Sequence, residues 1–360
     1  MMIDIANALA ENYDECVLLT GELRPRTKGL MPTIKRVTTV KYDPTSNLSR
    51  LWTWWWCFLH AFLMILIKGR KADLFITTNP PLGVFLPCVV RNHFTLLVYD
   101  IYPDVIVEYG ILSKDSLIVK SWERINEKVF SRADRVITIG RGMQERLSRY
   151  ISSDKIEVIP CWTHSDFLFP VAKADNAFIK EHHLEGKFLV IYSGNLGVTH
   201  DIEVMIELAQ RTRRDNLHFM IIGEGEKRKS LIRQVEERNL RNVTILPWQD
   251  VAMLPYSLSA ADLAVVTLGK GASLLSVPSK LYDVMAVGSP LLAIAENDSE
   301  MKAIIDSYSI GASFPSVGVE DMLSFIYKVM DDKQYHATLR SNSLQASRDF
   351  TSANAAGFAR

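Results

Sequence analysis

Cysteine is scarce in this sequence: four in 360 residues, Cys16, Cys57, Cys88 and Cys161, far apart and with no CxxC pair. That excludes a disulfide framework and a structural zinc site, and it leads us to expect reduced thiols in a cytoplasmic protein. Net charge is missing as well. Forty-one Lys and Arg balance forty-one Asp and Glu, so nothing in the charge points to nucleic acid as a partner. No Asp-x-Asp occurs anywhere, which removes the usual carboxylate clamp for a metal and a diphosphate. There is no Walker-type phosphate loop and no HExxH, so neither P-loop nor zincin chemistry is expected. Internal repeats of solenoid length and low-complexity stretches are absent too. The chain opens Met1-Met2-Ile3-Asp4 with no basic stretch ahead of an apolar run, so no secretory signal is expected.

What is present is alternation. Short apolar runs of β type lie between longer helical ones, and the length suits two domains. In the first half the predicted strands are 16–20, 74–78, 96–99, 135–139 and 155–159. In the second they are 188–192, 217–222, 243–246, 263–267, 291–295 and 311–314, with helices over 201–211, 227–239 and 281–287. Continuous apolar strands are those that helices cover on both faces. The pattern therefore predicts two Rossmann-like, doubly wound parallel α/β domains. The first is expected over 1–165 and the second over 166–345. A terminal helix over 346–360 is expected to pack back toward the first, and 160–175 to act as the hinge.

One stretch breaks the pattern. Residues 51–67 are apolar except for Thr53 and His60, with Arg50 before them and Lys68, Arg70 and Lys71 after. A bilayer span needs roughly 20 apolar residues, and this run is shorter. Two readings remain ahead of a true span. One is a buried core helix. The other is a helix in the membrane interface, with Trp52, Trp54, Trp55 and Trp56 at headgroup level and Lys68, Arg70 and Lys71 at the rim.

Candidate chemistry gathers mostly in the second half. Ser193-Gly194-Asn195-Leu196-Gly197 follows an apolar strand, and small residues there let backbone N–H groups approach an anion. A plain tight turn is the alternative. In Pro278-Ser279-Lys280-Leu281-Tyr282-Asp283, Ser279 is the expected N-cap and Lys280 falls in the first turn, where a cation opposes the helix dipole. Such a cation needs a compensating partner, and a diphosphate supplies one. Asp283, on the same face, is placed to accept from a ribose hydroxyl; a solvated Lys–Asp pair is the alternative. Glu224, Lys227 and Arg228 lie past the carboxyl end of a strand, where doubly wound sheets bind ligands. Trp248 ends another strand at the same rim and is read as facing a base, or else as a core residue. In the first half, Asp100 and Asp104 follow an apolar strand. A carboxylate there would orient an acceptor hydroxyl or stabilise positive charge building on a sugar, unless it merely caps a loop.

With these residues assembled, the chain resembles bacterial family-4 glycosyltransferases of the GT-B fold, and especially those that build O-antigen, capsule or exopolysaccharide units. The resemblance runs through 99–104, 110–112, 133–138, 156–160, 192–197, 221–229, 242–247, Ala261-Asp262 and 277–290. It implies retaining transfer from a UDP- or GDP-sugar, a UDP-sugar foremost, to a lipid-linked saccharide. It also implies no cofactor, since the nucleotide sugar is a substrate, no essential metal, and a place on the inner face of the bacterial cytoplasmic membrane. Within it Ser279 and Lys280 correspond to the diphosphate contact. Asp283 matches the second acid of the family's Glu-x7-Glu motif, while Leu275 stands at the first. The Arg and Lys that many relatives carry after the glycine turn are absent, with Asn195 and Asp201 nearby, and Asp100 matches the acceptor-side position approximately. Family members begin with a strand ahead of the first helix. Here that helix comes first, so the first domain is expected to lack its first strand and the natural product to begin upstream. Two other functions fit the same sequence: a degenerate, non-catalytic binding homologue, or a nucleotide-sugar 2-epimerase.

Overall fold

The computed structural model describes residues 1–23, 29–43, 45–108, 110–164, 166–197, 200–269 and 278–360. It divides into two compact units, Met1–Cys161 with Ala353–Arg360, and Trp162–Ser352. The first division thus falls four residues ahead of the expected 165/166 boundary.

The first unit holds strands β1 (Cys16–Thr20), β2 (Ile34–Thr38), β3 (Leu74–Thr77), β4 (Phe94–Val98), β5 (Arg135–Thr138) and β6 (Ile156–Val158). They form two separate parallel sheets, a β1–β2 pair and a four-stranded β3-β4-β5-β6. β2 escapes the hydrophobic pattern because Lys35 and Arg36 at its centre are exposed and only Ile34 is buried. The central β4 reads Phe-Thr-Leu-Leu-Val, with four of its five residues buried, as a strand covered on both faces requires.

The second unit holds β7 (Phe188–Ser193), β8 (Leu217–Ile222), β9 (Val243–Leu246), β10 (Leu263–Thr267), β11 (Leu291–Ile294) and β12 (Gly311–Phe314). Their order, β9-β8-β7-β10-β11-β12, is the 3-2-1-4-5-6 arrangement of the Rossmann sheet. All five residues of β10 and all four of β11 are buried. Amphipathic helices cover them. Glu203–Arg211 buries Val204, Met205, Ile206, Leu208 and Ala209, and Val319–Asp331 buries Met322, Leu323 and Ile326.

The same device sets strand register in both units. Ala133-Asp134 precedes β5, and the Asp134 carboxylate accepts from the backbone N–H of Phe94 at 2.8 Å. Ala261-Asp262 precedes β10, and Asp262 accepts from Leu189 N–H at 2.7 Å. Each carboxylate satisfies a backbone donor at the start of the neighbouring strand, the first of β4 and the second of β7, which would otherwise be left unpaired.

The terminal segment corrects one expectation. The helix Lys333–Ala346 ends, and two 3-10 stretches follow, Ser347–Asp349 and Ser352–Ala359, rather than an α-helix. Arg135 donates to the carbonyls of Gly357, Phe358 and Arg360 at 2.8–3.1 Å, and Phe358 packs edge-on against Phe75. The side chain thereby takes up carbonyls at the frayed end that have no partner further along the chain.

Candidate functional site

In a 3-2-1-4-5-6 sheet, connections leave in opposite directions from the two central strands, here β7 and β10, and a crevice opens at their carboxyl ends. The turn after β7 is pressed against the extension of β8. Gly194 N–H donates to the Ile222 carbonyl at 2.9 Å and Leu196 N–H to the Glu224 carbonyl at 2.8 Å. Lys227 N–H donates to the Leu196 carbonyl at 3.0 Å, closing the pair of loops. On the other side, the Thr267 hydroxyl at the end of β10 accepts from Asp201 N–H at 3.2 Å.

Lys280, on the short helix Lys280–Ala286, reaches into this crevice. Its ammonium donates to the Tyr192 hydroxyl at 2.9 Å and sits 4.4 Å from the centre of the Tyr192 ring. That hydroxyl in turn donates to the Asn195 carbonyl at 2.7 Å. Lys280 also lies against Gly194, where a side chain would meet it directly. Among the described residues, no carboxylate pairs with this ammonium. Burial pushes it down to about 8. Burial, followed by repulsion from Lys280 and Lys227, pushes the neighbouring His200 imidazole down to about 4, so it stands neutral at pH 7. The crevice therefore carries a positive charge that the protein holds at a cost, the inverse of a settled ion pair.

The other expected donor residues differ in how far their side chains are already committed. Lys227 is committed, donating to the His200 carbonyl at 2.7 Å and pairing with Glu203 at 2.8 Å. Glu224 lies 3.4 Å from Arg228, one turn on. Asn195 and Ser279 are exposed. Ser279 occupies the N-cap position but makes no side-chain capping bond, because its φ/ψ of −57°/−26° is already helical. Its hydroxyl is thus not spent on the helix. Asp283 accepts from the Thr163 hydroxyl at 2.6 Å. Trp248, past β9, is 53% exposed, which removes the core reading. Leu275 and Val277 lie outside the described residues. Sequence reasoning missed Tyr192 and His200. A tyrosine closing a buried strand just ahead of Ser-Gly-Asn is the one signal that would have found the first.

In the first unit the two aspartates separate. Asp104 is buried and ion-paired to Arg149, with the Tyr150 hydroxyl at 3.4 Å. Burial raises its carboxyl, and Arg149 and Arg146 pull it back. Asp100 has no ion-pair partner among the described residues, and burial alone raises it. Thr78 fixes its backbone, donating to the Asp100 carbonyl at 3.1 Å and accepting from Asp100 N–H at 3.3 Å. Asp100 lines a small cavity with Tyr102, Asn126 and Phe130.

A pH dependence follows for any anion that Lys280 binds. Its pKa in the free protein, about 8, must rise when an anion docks, so binding takes up a proton above that pH. We expect affinity for an added diphosphate to be flat between about pH 7 and 7.5 and then to fall by up to about tenfold per pH unit. The slope should vanish in Lys280→Ala, as titration calorimetry across pH would show.

The model for Glycosyltransferase Family 4 matches residues 1–167, and that for glycosyl transferases group 1 matches residues 174–346. WbjE of Pseudomonas aeruginosa, described by its name as a glycosyltransferase, is 31% identical over 254 residues, 69% of this chain and 64% of WbjE. WcaI of Escherichia coli (strain K12), named for glycosyl transfer in colanic acid biosynthesis, is 31% identical over 262 residues, again 69% and 64%. The match thus spans just under two thirds of each curated relative. Anabaena HepE, solved with UDP and glucose, superposes with a TM-score of 0.72 at 14% identity, over 99% of this chain and 92% of HepE. At that identity the likeness establishes the shared fold.

Proposed function

This chain belongs to the glycosyltransferases, family 4 in its first part and group 1 in its second, and on that footing we propose that it moves a sugar from a nucleoside diphosphate to a saccharide in cell-surface polysaccharide synthesis. The observation that carries the reading is Lys280, a half-buried ammonium with a neutral hydroxyl for a partner, held at the switch point of a Rossmann sheet. A diphosphate would complete that charge. UDP is the favoured carrier, since HepE has the same fold and was solved with it.

In the transfer, the bond between the sugar's anomeric carbon and the diphosphate oxygen breaks, and the acceptor hydroxyl forms the new one while losing its proton. Lys280 is assigned to the charge that develops on the leaving diphosphate, and the exposed Ser279 hydroxyl to a phosphate oxygen. Gly194 and Asn195 shape the floor of the pocket, and Asp283 is assigned to the ribose. Asp100 takes the acceptor-side role. Its carboxyl, raised by burial, is a better proton acceptor than an ordinary carboxylate, whereas Asp104 is held by Arg149. Retention of configuration, no essential metal and a lipid-linked acceptor complete the proposal.

The test is release of UDP from UDP-sugars in the presence of lipid-linked saccharide, with and without EDTA. Transfer indifferent to EDTA, with the α or β configuration of the donor kept in the product, is expected. Inversion, or activity restored only by added metal, would overturn those parts of the reading. Asp100→Asn should lower kcat by about 10²–10⁴-fold and leave UDP affinity unchanged. An equal loss of UDP binding in that variant would remove Asp100 from the acceptor role.

A further inference from the structure

The helix Asn47–Lys68 is built inside out for a surface helix of a water-soluble unit. Its N-terminus is closed by a capping box between Ser46 and Ser49, and Arg70 Nε returns to the Leu66 carbonyl at 2.7 Å beyond its other end. Along its length Thr53, Ala61 and Ile65, with Cys57 half-buried between them, make one narrow stripe against the segments Pro81–Phe85 and Leu86–Val89. The opposite face carries Leu48, Leu51, Trp52, Trp55, Trp56, Leu63 and Ile67, from 44% to 80% exposed. Trp52, Trp55 and Trp56 gather there with ring centres 5.7–6.4 Å apart. Trp54 does not join them; it stacks on Tyr42. Only 17% of the helix's most apolar window is buried, so the core-helix reading fails. Water is an unfavourable solvent for such a face.

We propose that this face is a monotopic docking surface for a bilayer rich in anionic phospholipid. The helix would lie along the interface, its three clustered indoles at headgroup depth. Two observations choose the occupant. From Asn47 to Ala72 there is no carboxylate, while Arg50, Lys68, Arg70 and Lys71 are all exposed. That composition suits a negative lipid surface and aromatic anchoring. By length and composition the helix could also cross a membrane, but connectivity argues against it. A span would place β2, before it, and β3, after it, on opposite sides of the bilayer, and both belong to one compact unit. The buried stripe would also have to leave its packing. Docking in the plane keeps both.

The full chain, incubated with phosphatidylcholine vesicles alone or containing phosphatidylglycerol, provides the test. Co-sedimentation with the anionic vesicles is expected, with tryptophan fluorescence quenched by brominated lipid. The combined variant Trp52→Ser, Trp55→Ser, Trp56→Ser should remain in the supernatant with unchanged circular dichroism, since none of these rings is buried. Neutralising Lys68, Arg70 and Lys71 to Gln should weaken binding to anionic vesicles at least about tenfold, at about fivefold per charge near the surface, and leave phosphatidylcholine binding unaltered. Recovery of the parent protein in the supernatant would overturn the proposal. So would light scattering that shows a dimer in the parent and a monomer in the Trp variant, because the face would then belong to a second copy. None of these readouts depends on sugar transfer.

Discussion

Lys280→Met should lose UDP binding by about two orders of magnitude and, at the same time, make the second unit more stable. Both effects come from one fact, that the ammonium is held half-buried among neutral groups. Hydrogen bonds to charged groups are worth about 1.5–3 kcal/mol each, so removing the cation that meets a diphosphate costs roughly a hundredfold in affinity. For stability the sign is the reverse. The folded-state pKa is lowered from 10.5 to about 8, so the folded state disfavours the charged form. That penalty is full below about pH 8 and disappears as pH rises past 10.5, where the unfolded chain also loses its proton. The shift sets an upper limit of about 3 kcal/mol at pH 7. Methionine keeps the apolar stem and removes the charge. Urea unfolding should therefore show Lys280→Met more stable than the parent at pH 7, with the gap closing toward pH 10. A variant that is less stable yet binds UDP normally would show that Lys280 is a packing residue.

That trade was legible before the fold was known. A lysine in the first turn after Pro-Ser is locally unfavourable, and local disfavour is visible in a string of letters. The Gly194 turn and the Glu224–Arg228 segment are visible for a related reason, since each follows an apolar strand directly. Tyr192 and His200 were not visible. Their importance comes from lying 88 and 80 positions from Lys280 in the chain and against it in space, which no periodicity reports. Asp104 shows the same limit from the other side. It looked like a partner for Asp100, but Arg149, 45 residues on, claims it.

The strands divide along similar lines. Eleven of the twelve strands among the described residues were placed by their apolar runs because both faces of most of them are covered. β2 was not, since Ile-Lys-Arg-Val-Thr buries one residue and pairs with a single neighbour. Four tryptophans in five residues marked the helix Asn47–Lys68 as unusual. Helical spacing then separates them, because Trp52, Trp55 and Trp56 share a face at i, i+3 and i+4 while Trp54 turns away to Tyr42.

Gly223→Ala should be the most damaging single-methyl change near the site. Gly223 follows β8 with φ of +150°, a region that L side chains rarely enter. A Cβ there would stand 1.9 Å from the Gly194 carbonyl oxygen, well inside contact distance. Neither side can retreat. Gly194 N–H is bonded to the Ile222 carbonyl at 2.9 Å, Leu196 N–H to the Glu224 carbonyl at 2.8 Å, and Gly223 N–H to the Leu246 carbonyl at 3.0 Å. Moving the chain would break bonds among β7, β8 and β9 together and displace the floor under Lys280. We expect a loss of about 3–5 kcal/mol in unfolding free energy, together with loss of UDP binding. Gly186→Ala separates the two causes of that loss. Gly186 also has positive φ, +75°, but a Cβ there meets nothing within 4 Å, so only the backbone cost of about 1–2 kcal/mol should appear and UDP binding should survive. Two variants of equal stability would mean that the β7 and β8 loops yield easily, and the crevice would then have to be formed by the ligand rather than held ready for it.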